Sequence, residues 1–203
     1  MIDWNSVHEE RLPEVLAANL DRNFEALVLT YQDRLYAFAL RLTSSPQDAE
    51  EVAQDAFLRA YHALAGYDHA RIATLKLRPW LYQIVLNLVR NRMRGRHLTL
   101  VSLDASGDGA PSEPADDAGK RPDAAWEQAE RSDELAALVD ALPERYRTAV
   151  ILRHIEGLGY GEVAVVLKQP VGTVKANVHR GIHLLREAVV QKMEEESFTH
   201  GRV

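Results

Sequence analysis

Arg78-Pro-Trp-Leu-Tyr-Gln-Ile-Val-Leu-Asn-Leu-Val-Arg-Asn-Arg-Met-Arg-Gly-Arg96 is the stretch around which the chain is organised. Its apolar residues recur at helical spacing, which predicts a helix with aromatic residues at its start and arginines at its end. The surrounding segment has no carboxylate side chain between Asp68 and Asp104, but it has seven basic residues. A basic run is usually a solvated helix face, and the alternative is a surface that binds nucleic acid.

The composition is that of a soluble globular protein. The 203 residues are 46% apolar and 27% charged, with a net charge of -6, and no apolar run approaches the roughly 20 residues that span a bilayer. The absence of cysteine excludes disulfides, thiolate nucleophiles and cysteine-bound zinc. The N-terminus lacks a basic start followed by an apolar run, so we expect no signal peptide, no membrane insertion and a cytoplasmic location.

Two amphipathic helices are predicted in the first half, after a polar lead-in over residues 1–22 that is itself a candidate for a short helix. Apolar residues fall on one stripe over residues 23–42, which predicts a helix with one buried face. A second helix is predicted over about 46–65, because Ser45 can cap its first turn and Pro46 suits its first position.

The outer face of this second helix is predicted to be polar and acidic. It would carry Asp48, Glu51, Gln54 and Asp55. Such a face is most often solvated, and the alternative is a docking surface for a basic partner helix. A metal site or an acid–base pair is disfavoured, because no histidine is placed to complete a ligand set.

The third helix is predicted to start at Pro79, after a polar and basic loop over residues 69–78. Trp80 and Tyr82 lie in its first turns. An aromatic pair at such a position is more often part of a core, but beside basic residues it also suits stacking against single-stranded bases.

The composition changes abruptly after the third helix. Residues 104–119 are rich in glycine, proline and acid, which predicts a flexible acidic linker over 99–122 and a domain boundary. We therefore predict an all-α protein with two small helical domains, residues 23–98 and 123–190, and a tail over 191–203.

The second domain is predicted to begin with two helices over 123–141 and 144–156. We expect Leu135 and Ile155 to lie on their buried stripes. The glycine-rich segment 157–161 that follows is predicted to be a turn, because it lacks the strand and the Gly-Lys-Ser/Thr of a phosphate loop.

Residues 160–180 have the form of a helix-turn-helix, with the turn near Lys168 and a second helix opened by Thr173. The inner face of that second helix is predicted to contain Val174, Val178, Ile182, Leu185 and Val189. Its outer face would present Lys175, Ala176, His179, Arg180 and His183. No acid occurs from Val163 to Arg186, which suits a helix lying in the major groove.

Four stretches match one known family in the same order. They are Asp48-Ala-Glu-Glu-Val-Ala-Gln-Asp-Ala-Phe-Leu-Arg-Ala-Tyr61, Pro79-Trp-Leu-Tyr-Gln-Ile84 with Asn87, Leu142-Pro-Glu-Arg-Tyr-Arg-Thr-Ala-Val150, and Gly172-Thr-Val-Lys175. They resemble the extracytoplasmic-function (ECF) sigma factors of bacterial RNA polymerase, within the sigma-70 family. The resemblance implies a transcription initiation factor that binds core RNA polymerase, recognises minus-35 and minus-10 promoter elements and promotes melting. It implies no catalytic residue, no cofactor and no metal.

The resemblance also implies a role for particular residues. Docking on the clamp helices of the largest polymerase subunit would fall to Asp48, Glu51, Gln54 and Asp55. Minus-10 recognition and melting would fall to Lys76, Arg78, Trp80, Asn87, Arg90 and Arg94. Minus-35 recognition would fall to Thr173, Lys175, Ala176, His179 and Arg180. An anti-sigma factor that masks these surfaces is a further candidate partner.

Two rival interpretations account for parts of the chain. A stand-alone dimeric helix-turn-helix regulator explains residues 123–190 but leaves the acidic helix and the basic first domain without a role. A helical metal-dependent hydrolase would use His179 and His183, which lack a third ligand and a general-base glutamate.

Three positions depart from the usual pattern of the family. Lys168 stands where glycine is common, Asn177 where arginine is frequent, and Gln83 likewise replaces a frequent arginine. Lys168 would cost about 1 kcal/mol if the backbone there needs a positive φ, and the departures at Asn177 and Gln83 bear on promoter specificity.

Overall fold

A computed structural model of the protein describes the backbone of residues 4–103 and 134–200, and the side chains of residues 9–94 and 134–192. Within these ranges the regular elements are all helices. Most of the predicted acidic linker, residues 104–122, lies outside the described residues, as does the end of the predicted tail.

The segment expected to be a polar lead-in contains a helix, α1 (Trp4–Ala18), which packs on the first domain. Leu12 and Leu16 of α1 are buried. They lie four residues apart and therefore share one face of the helix. Asn19 separates α1 from α2 (Leu20–Thr43) and accepts a hydrogen bond from the Arg22 amide at 3.0 Å. The described part of the lead-in is thus integrated into the domain core.

The second predicted helix is observed as α3 (Pro46–Ala65). Its cap is confirmed, because the Ser45 side chain accepts from the Asp48 amide at 3.3 Å. The face against α2 consists largely of small apolar residues, among them Ala49, Val52, Ala56 and Ala60. Small side chains let the two helices approach closely along their length.

The predicted loop over 69–78 is wrong in part. Its first half forms a short helix, α4 (His69–Ala73), capped by the Asp68 side chain, and buries Ile72. The following helix, α5 (Leu77–Leu103), begins two residues before Pro79, with Leu77 buried. A five-residue helix is too short to show a periodic pattern, which explains why the sequence alone did not reveal it.

The second domain is described from a helix over 134–140 (α6). It continues through α7 (Glu144–Val150), a π-helical turn (Ile151–Ile155), α8 (Tyr160–Leu167) and α9 (Val171–His200). The turn predicted between α8 and α9 is confirmed at Lys168, whose φ of 54° is left-handed.

Helices α7 and α9 cross at Gly181. A Cβ atom added to Gly181 would lie 2.5 Å from Cγ2 of Val150 and 3.4 Å from Cβ of Tyr146. The first of these distances is too short for non-bonded carbon atoms, and the second is a tight contact. The close crossing therefore requires glycine at this position.

Three residues predicted to be buried in the second domain are exposed. Leu135 and Ile155 line an open groove of about 480 Å³ formed mainly by α6, the end of α7 and α9. The π-helical turn adds a residue to the helical repeat before Ile155, which rotates that side chain off the predicted stripe. Val189, also predicted to be inside, is 37% exposed.

Candidate nucleic-acid interface

The residues predicted to read duplex DNA share one exposed face at the start of α9. Thr173, Lys175, Ala176, His179 and Arg180 are all exposed. Val174 and Val178 lie on the opposite face and are buried against the rest of the domain. The Lys175 ammonium is 5.7 Å from the centre of the Tyr160 ring of α8, a cation–π distance. The first turns of α9 thus present a polar and basic surface, and the buried Val174 and Val178 hold them against the rest of the domain.

The residues predicted to contact the minus-10 element fall mostly on one stripe of α5. Successive members of this stripe are separated by four, seven, three and four residues; they are Lys76, Trp80, Asn87, Arg90 and Arg94. Gln83 lies between Trp80 and Asn87 on the same side of the helix. Such steps return to the same side of a helix. Lys76, Asn87 and Arg94 are exposed, whereas Trp80 and Arg90 are half-buried.

Arg78 is not on this stripe. Its Nη2 donates a hydrogen bond to the carbonyl oxygen of Glu156 in the second domain, and its Nε lies 3.9 Å from Oε1 of Glu9 on α1. The structure therefore places Arg78 at the junction of α1, α5 and the second domain, apart from the other predicted minus-10 residues.

The two aromatic residues at the start of α5 have different surroundings. Tyr82 is fully buried, packs 4.9 Å from the Phe38 ring and donates its hydroxyl hydrogen to Oε2 of Glu156 at 2.6 Å. Burial, and then the negative charge of Glu156, raise the pKa of Tyr82, so the hydroxyl stays protonated. Trp80 is half-buried beside Tyr67 on the exposed stripe. Of these two aromatic residues, Trp80 alone is partly accessible to solvent.

The expected outer-face position of Asp48 is wrong. Asp48 is 2% exposed, and its Oδ1 lies 2.8 Å from Nε of Arg92 on α5. Arg92 also contacts Glu51, and this hydrogen bond, together with the charges of Glu51 and Asp48, raises the pKa of Arg92. Helical periodicity could not reveal this pair because its members are 44 residues apart.

The other predicted docking residues of α3, Glu51, Gln54 and Asp55, are exposed. Gln54 borders a groove of about 370 Å³ between α2 and α3, which sequence reasoning missed. The groove is also lined by Asp33, Tyr36, Glu50 and Phe57. The sequence signal that could have revealed this groove was the presence of apolar and aromatic residues, such as Tyr36, close to acidic residues.

The histidines of the rival metal-site interpretation lie on the exposed side of α9. His183 Nδ1 is 3.2 Å from Oε2 of Glu187. Among the residues whose side chains are described, no three histidine, aspartate or glutamate residues are grouped as metal ligands. None of the helices in the described part of the chain is long and apolar enough to cross a membrane.

Two family models match the chain. The model for Sigma-70 region 2 matches residues 27–99, and the model for Sigma-70 region 4 matches residues 132–185. Among similar curated proteins, the RNA polymerase sigma-H factor of Pseudomonas aeruginosa is 33% identical over 193 residues, covering 92% of this chain and 96% of that protein. The ECF RNA polymerase sigma factor SigW of Bacillus subtilis is 33% identical, with 88% and 95% covered.

Solved structures with the same fold include CnrH in complex with the cytosolic domain of CnrY, with a TM-score of 0.63 and 24% identity over 90% of this chain and 97% of that one. The sigma factor RpoE of Bartonella quintana, in complex with the anti-sigma factor NepR, aligns with a TM-score of 0.64 and 23% identity, covering 83% and 97%. At these identities the likeness concerns the helical fold.

Proposed function

This chain belongs to the ECF sigma factors of the sigma-70 family, and on that premise we propose how its residues divide the work of transcription initiation. It is a transcription initiation factor and not an enzyme, and its partners are core RNA polymerase and promoter DNA. The first domain recognises and melts the minus-10 element, and the second recognises the minus-35 element. Because core RNA polymerase is its partner, we propose a cytoplasmic location for the chain.

The exposed face at the start of α9 reads the minus-35 element. Lys175 and Arg180 carry the positive charge of this face, and the acid-free sequence from Val163 to Arg186 leaves that charge uncompensated along the chain. Lysine and arginine pair with the major-groove edge of guanine, while a small residue such as Ala176 allows close approach to a thymine methyl group. The placement of these residues on one face is the single observation that carries this assignment.

The stripe along α5 holds the minus-10 strand after the duplex opens. Basic residues anchor phosphates in any sequence, and an aromatic ring such as Trp80 stacks on an unpaired base. The exposed Asn87 amide can both donate to and accept from a base edge. Binding the single-stranded form preferentially shifts the melting equilibrium toward the open duplex.

Core polymerase docks on the exposed acidic side of α3. Glu51, Gln54 and Asp55 supply the polar contacts, and the neighbouring groove with Tyr36 and Phe57 supplies apolar area. Asp48 is buried below this surface, where it is ion-paired with Arg92, and it does not itself contact the polymerase. A charged rim around an apolar patch is the usual composition of a specific protein interface.

An anti-sigma factor is a further partner that we propose for this chain. The solved structure of the sigma factor RpoE is a complex with its anti-sigma factor NepR. The stand-alone dimeric regulator is not favoured, because it leaves the region 2 match over 27–99 without a function.

Transcription in vitro with core RNA polymerase, over a library of genomic fragments, tests the proposed function. We expect transcripts that start downstream of a shared pair of promoter elements and that disappear when the chain is omitted. Sequence-specific DNA binding by the chain alone, without any core-dependent transcript, would instead support the stand-alone regulator.

The docking surface is tested by Asp55→Lys. Asp55 is exposed, so the substitution should leave the fold intact while placing a positive charge where the proposed polymerase surface is basic. We expect loss of co-purification with core polymerase. Glu14→Lys, at an exposed acid on α1, is the matched control and should bind normally. Normal association of the Asp55→Lys variant would refute the docking face.

A further inference from the structure

Helix α1 (Trp4–Ala18) belongs to none of the binding surfaces proposed for this chain. The region 2 model begins at residue 27 and so matches none of α1. The helix nevertheless packs on both α2 and α4. Its packing face carries Leu12 and Leu16, which are buried, and Glu9, whose side chain is 18% exposed. These residues lie three and four apart along the chain and therefore share one side of the helix.

Glu9 anchors α1 to α2. Its Oε1 accepts a hydrogen bond from the Tyr31 hydroxyl at 2.8 Å, and its Oε2 accepts one from Nη1 of Arg34 at 2.9 Å. Burial, and then the negative charge of Glu9, raise the pKa of Tyr31, so the hydroxyl stays protonated and donates. A carboxylate on a packing face costs free energy unless it is paired. Because both partners lie on α2, Glu9 fixes where α1 can pack along that helix.

The short helix α4 (His69–Ala73) depends on α1 for its position. Among the described helices, α1 is the one on which α4 packs most extensively. Ile72 of α4 is buried in the same apolar core as Leu12 and Leu16. An isolated helix of fewer than about 12 residues is marginal in water, and α4 has five. It therefore needs this packing to stay helical.

The connection from α4 to α5, residues 74–76, is short. The Leu75 amide donates to the carbonyl oxygen of Ile72 at 3.0 Å. The carbonyl oxygen of Lys76 accepts from the Trp80 amide at 3.2 Å. Lys76 is thus tied to the end of one helix and the start of the next, and a shift of α4 moves it. Lys76 is exposed and is the first residue of the stripe proposed to hold the minus-10 strand.

The space between α1 and this connection leaves room for such a shift. An open cavity of about 530 Å³ is lined by Glu9 and Pro13 of α1 and by Leu75 and Lys76 of the connection. Nε of Arg78, in the first turn of α5, lies 3.9 Å from Oε1 of Glu9 across the same region. The Glu9 carboxylate therefore faces both α2 and the start of α5, so it links the position of α1 to the position of the connection.

We propose that α1 positions Lys76 for the minus-10 strand, through the anchoring of Glu9 on α2 and the packing of α1 on α4. Glu9 is a positioning residue that does not itself touch DNA. The position of Lys76 matters because the α5 stripe binds the minus-10 strand, so this role of α1 rests on the proposed function. A side chain held in place before the DNA arrives loses less conformational entropy on binding.

Three substitutions test the anchor. Glu9→Ala removes both hydrogen bonds to α2, and Tyr31→Phe removes one of them while keeping the buried ring. The other end of α1 stays attached in each variant, because Nδ2 of Asn23 on α2 donates to the carbonyl oxygen of Val15 at 2.8 Å. Glu14→Ala, which truncates an exposed acid on the same helix, is the matched control.

Hydrogen exchange of the full chain, followed by mass spectrometry, measures how firmly α1 holds α4. We expect faster exchange over residues 68–77 in Glu9→Ala and, to a smaller extent, in Tyr31→Phe, because α4 opens more often once α1 is loosened. Exchange over residues 171–185 of α9 should keep the parental rate, and Glu14→Ala should match the parent throughout. Unchanged exchange over residues 68–77 in Glu9→Ala would overturn the proposed role of α1.

Promoter opening tests whether this hold serves minus-10 binding. With core polymerase and a promoter identified from the genomic library, permanganate reactivity of unpaired thymines measures the open fraction. We expect Glu9→Ala to lower the equilibrium constant for opening about threefold, a coupling at the low end for residues that act as one network. In a chain that also carries Lys76→Ala, Glu9→Ala should lower it no further. Effects that multiply would mean that Glu9 only stabilises the fold, and would refute its action through Lys76.

The outcomes separate this role of α1 from the proposed function. Faster exchange over residues 68–77 with parental promoter opening in Glu9→Ala would refute the positioning role alone. Parental opening in Lys76→Ala would refute the proposed minus-10 role of that lysine, on which the positioning role depends. Absence of any core-dependent transcript from the parent would refute the proposed function, and the role of α1 with it.

Discussion

The two basic helices of this sigma factor, α5 and α9, use their cationic side chains differently. On α5, Arg78, Arg90 and Arg92 each contact an oxygen atom from another helix or the second domain. On α9, Lys175 and Arg180 form no ion pair with any residue whose side chain is described. An acid-free stretch of sequence therefore shows that charges are not compensated locally, but it does not show whether the fold compensates them.

The position of each helix explains the difference. Helix α5 packs on α2 and α3 and also meets α8 of the second domain, so its arginines lie within reach of other elements. Helix α9 packs on α7 and α8 through one face, and the residues on the other face of its first turns are exposed. The same residue types thus form contacts within the fold on one helix and an exposed cationic surface on the other.

The largest expected effect is the loss of stability caused by Arg92→Ala, which removes the ion pair between α5 and Asp48 of α3. Asp48 would remain buried after losing its 2.8 Å partner. Removing one hydrogen-bonding partner of a buried polar or charged group costs about 1–3 kcal/mol. We expect a loss of that order in the unfolding free energy, measured by urea denaturation followed by circular dichroism.

Arg94→Ala is the matched control on the same helix. Arg94 is exposed and contacts only Asn91 and the Arg90 carbonyl among the described residues. Its substitution should change stability by no more than about 0.5 kcal/mol. Equal losses of unfolding free energy for the two substitutions would mean that Arg92 stabilises the fold no more than the exposed Arg94 does.

The second prediction concerns the displayed residues of α9. Lys175→Ala should leave stability almost unchanged, because the side chain is exposed, and should weaken minus-35 recognition by about 1–3 kcal/mol if it reads a base. Transcription from paired promoters, with and without an intact minus-35 element, measures this loss. Lys192→Ala, at a lysine far along the same helix, is the control. An unchanged preference for the minus-35 element in the Lys175→Ala variant would contradict the assignment.

Local signals in the sequence predicted much of this architecture. Ser45 and Pro46 predicted the start of α3, and the helical spacing of apolar residues predicted α5, in which Leu81, Val85 and Leu88 are buried. Each of these signals depends on residues within a few turns of one helix. The exposed face of α9 was predicted for the same reason.

Contacts between distant parts of the chain were not predictable in this way. Asp48 was placed outside because nothing in its own helix indicates Arg92, and Glu156 was not singled out because its partners lie in another domain. Ile155 was placed inside because a regular helical repeat was assumed across the π-helical turn. The missed features are those that need the tertiary arrangement.

The third prediction tests whether the close crossing of α7 and α9 at Gly181 stabilises the second domain. Gly181→Ala would bring a methyl group against Val150 and separate α7 from α9. Overpacking costs about 1–3 kcal/mol, and alanine recovers up to about 1 kcal/mol of helix propensity, so we expect a net loss of about 1–2 kcal/mol. Gly172→Ala, where an added Cβ meets nothing within 4 Å, should instead be neutral or stabilising. Equal thermal midpoints for the two variants would show that the crossing is not tight.

The smallest expected change in stability concerns one left-handed residue in each domain, at equivalent positions after a helix. Ser44 in the first domain and Lys168 in the second follow the ends of α2 and α8 with φ angles of 53° and 54°. Left-handed backbone costs a residue with a side chain about 1–2 kcal/mol, and glycine loses about 0.5–1 kcal/mol through its greater freedom when unfolded. Ser44→Gly and Lys168→Gly should therefore each stabilise the chain by about 0.5–1 kcal/mol, measured by urea denaturation. Similar gains would show that backbone strain is local to each turn, whereas a loss confined to Lys168→Gly would show that this lysine side chain stabilises the helix-turn-helix.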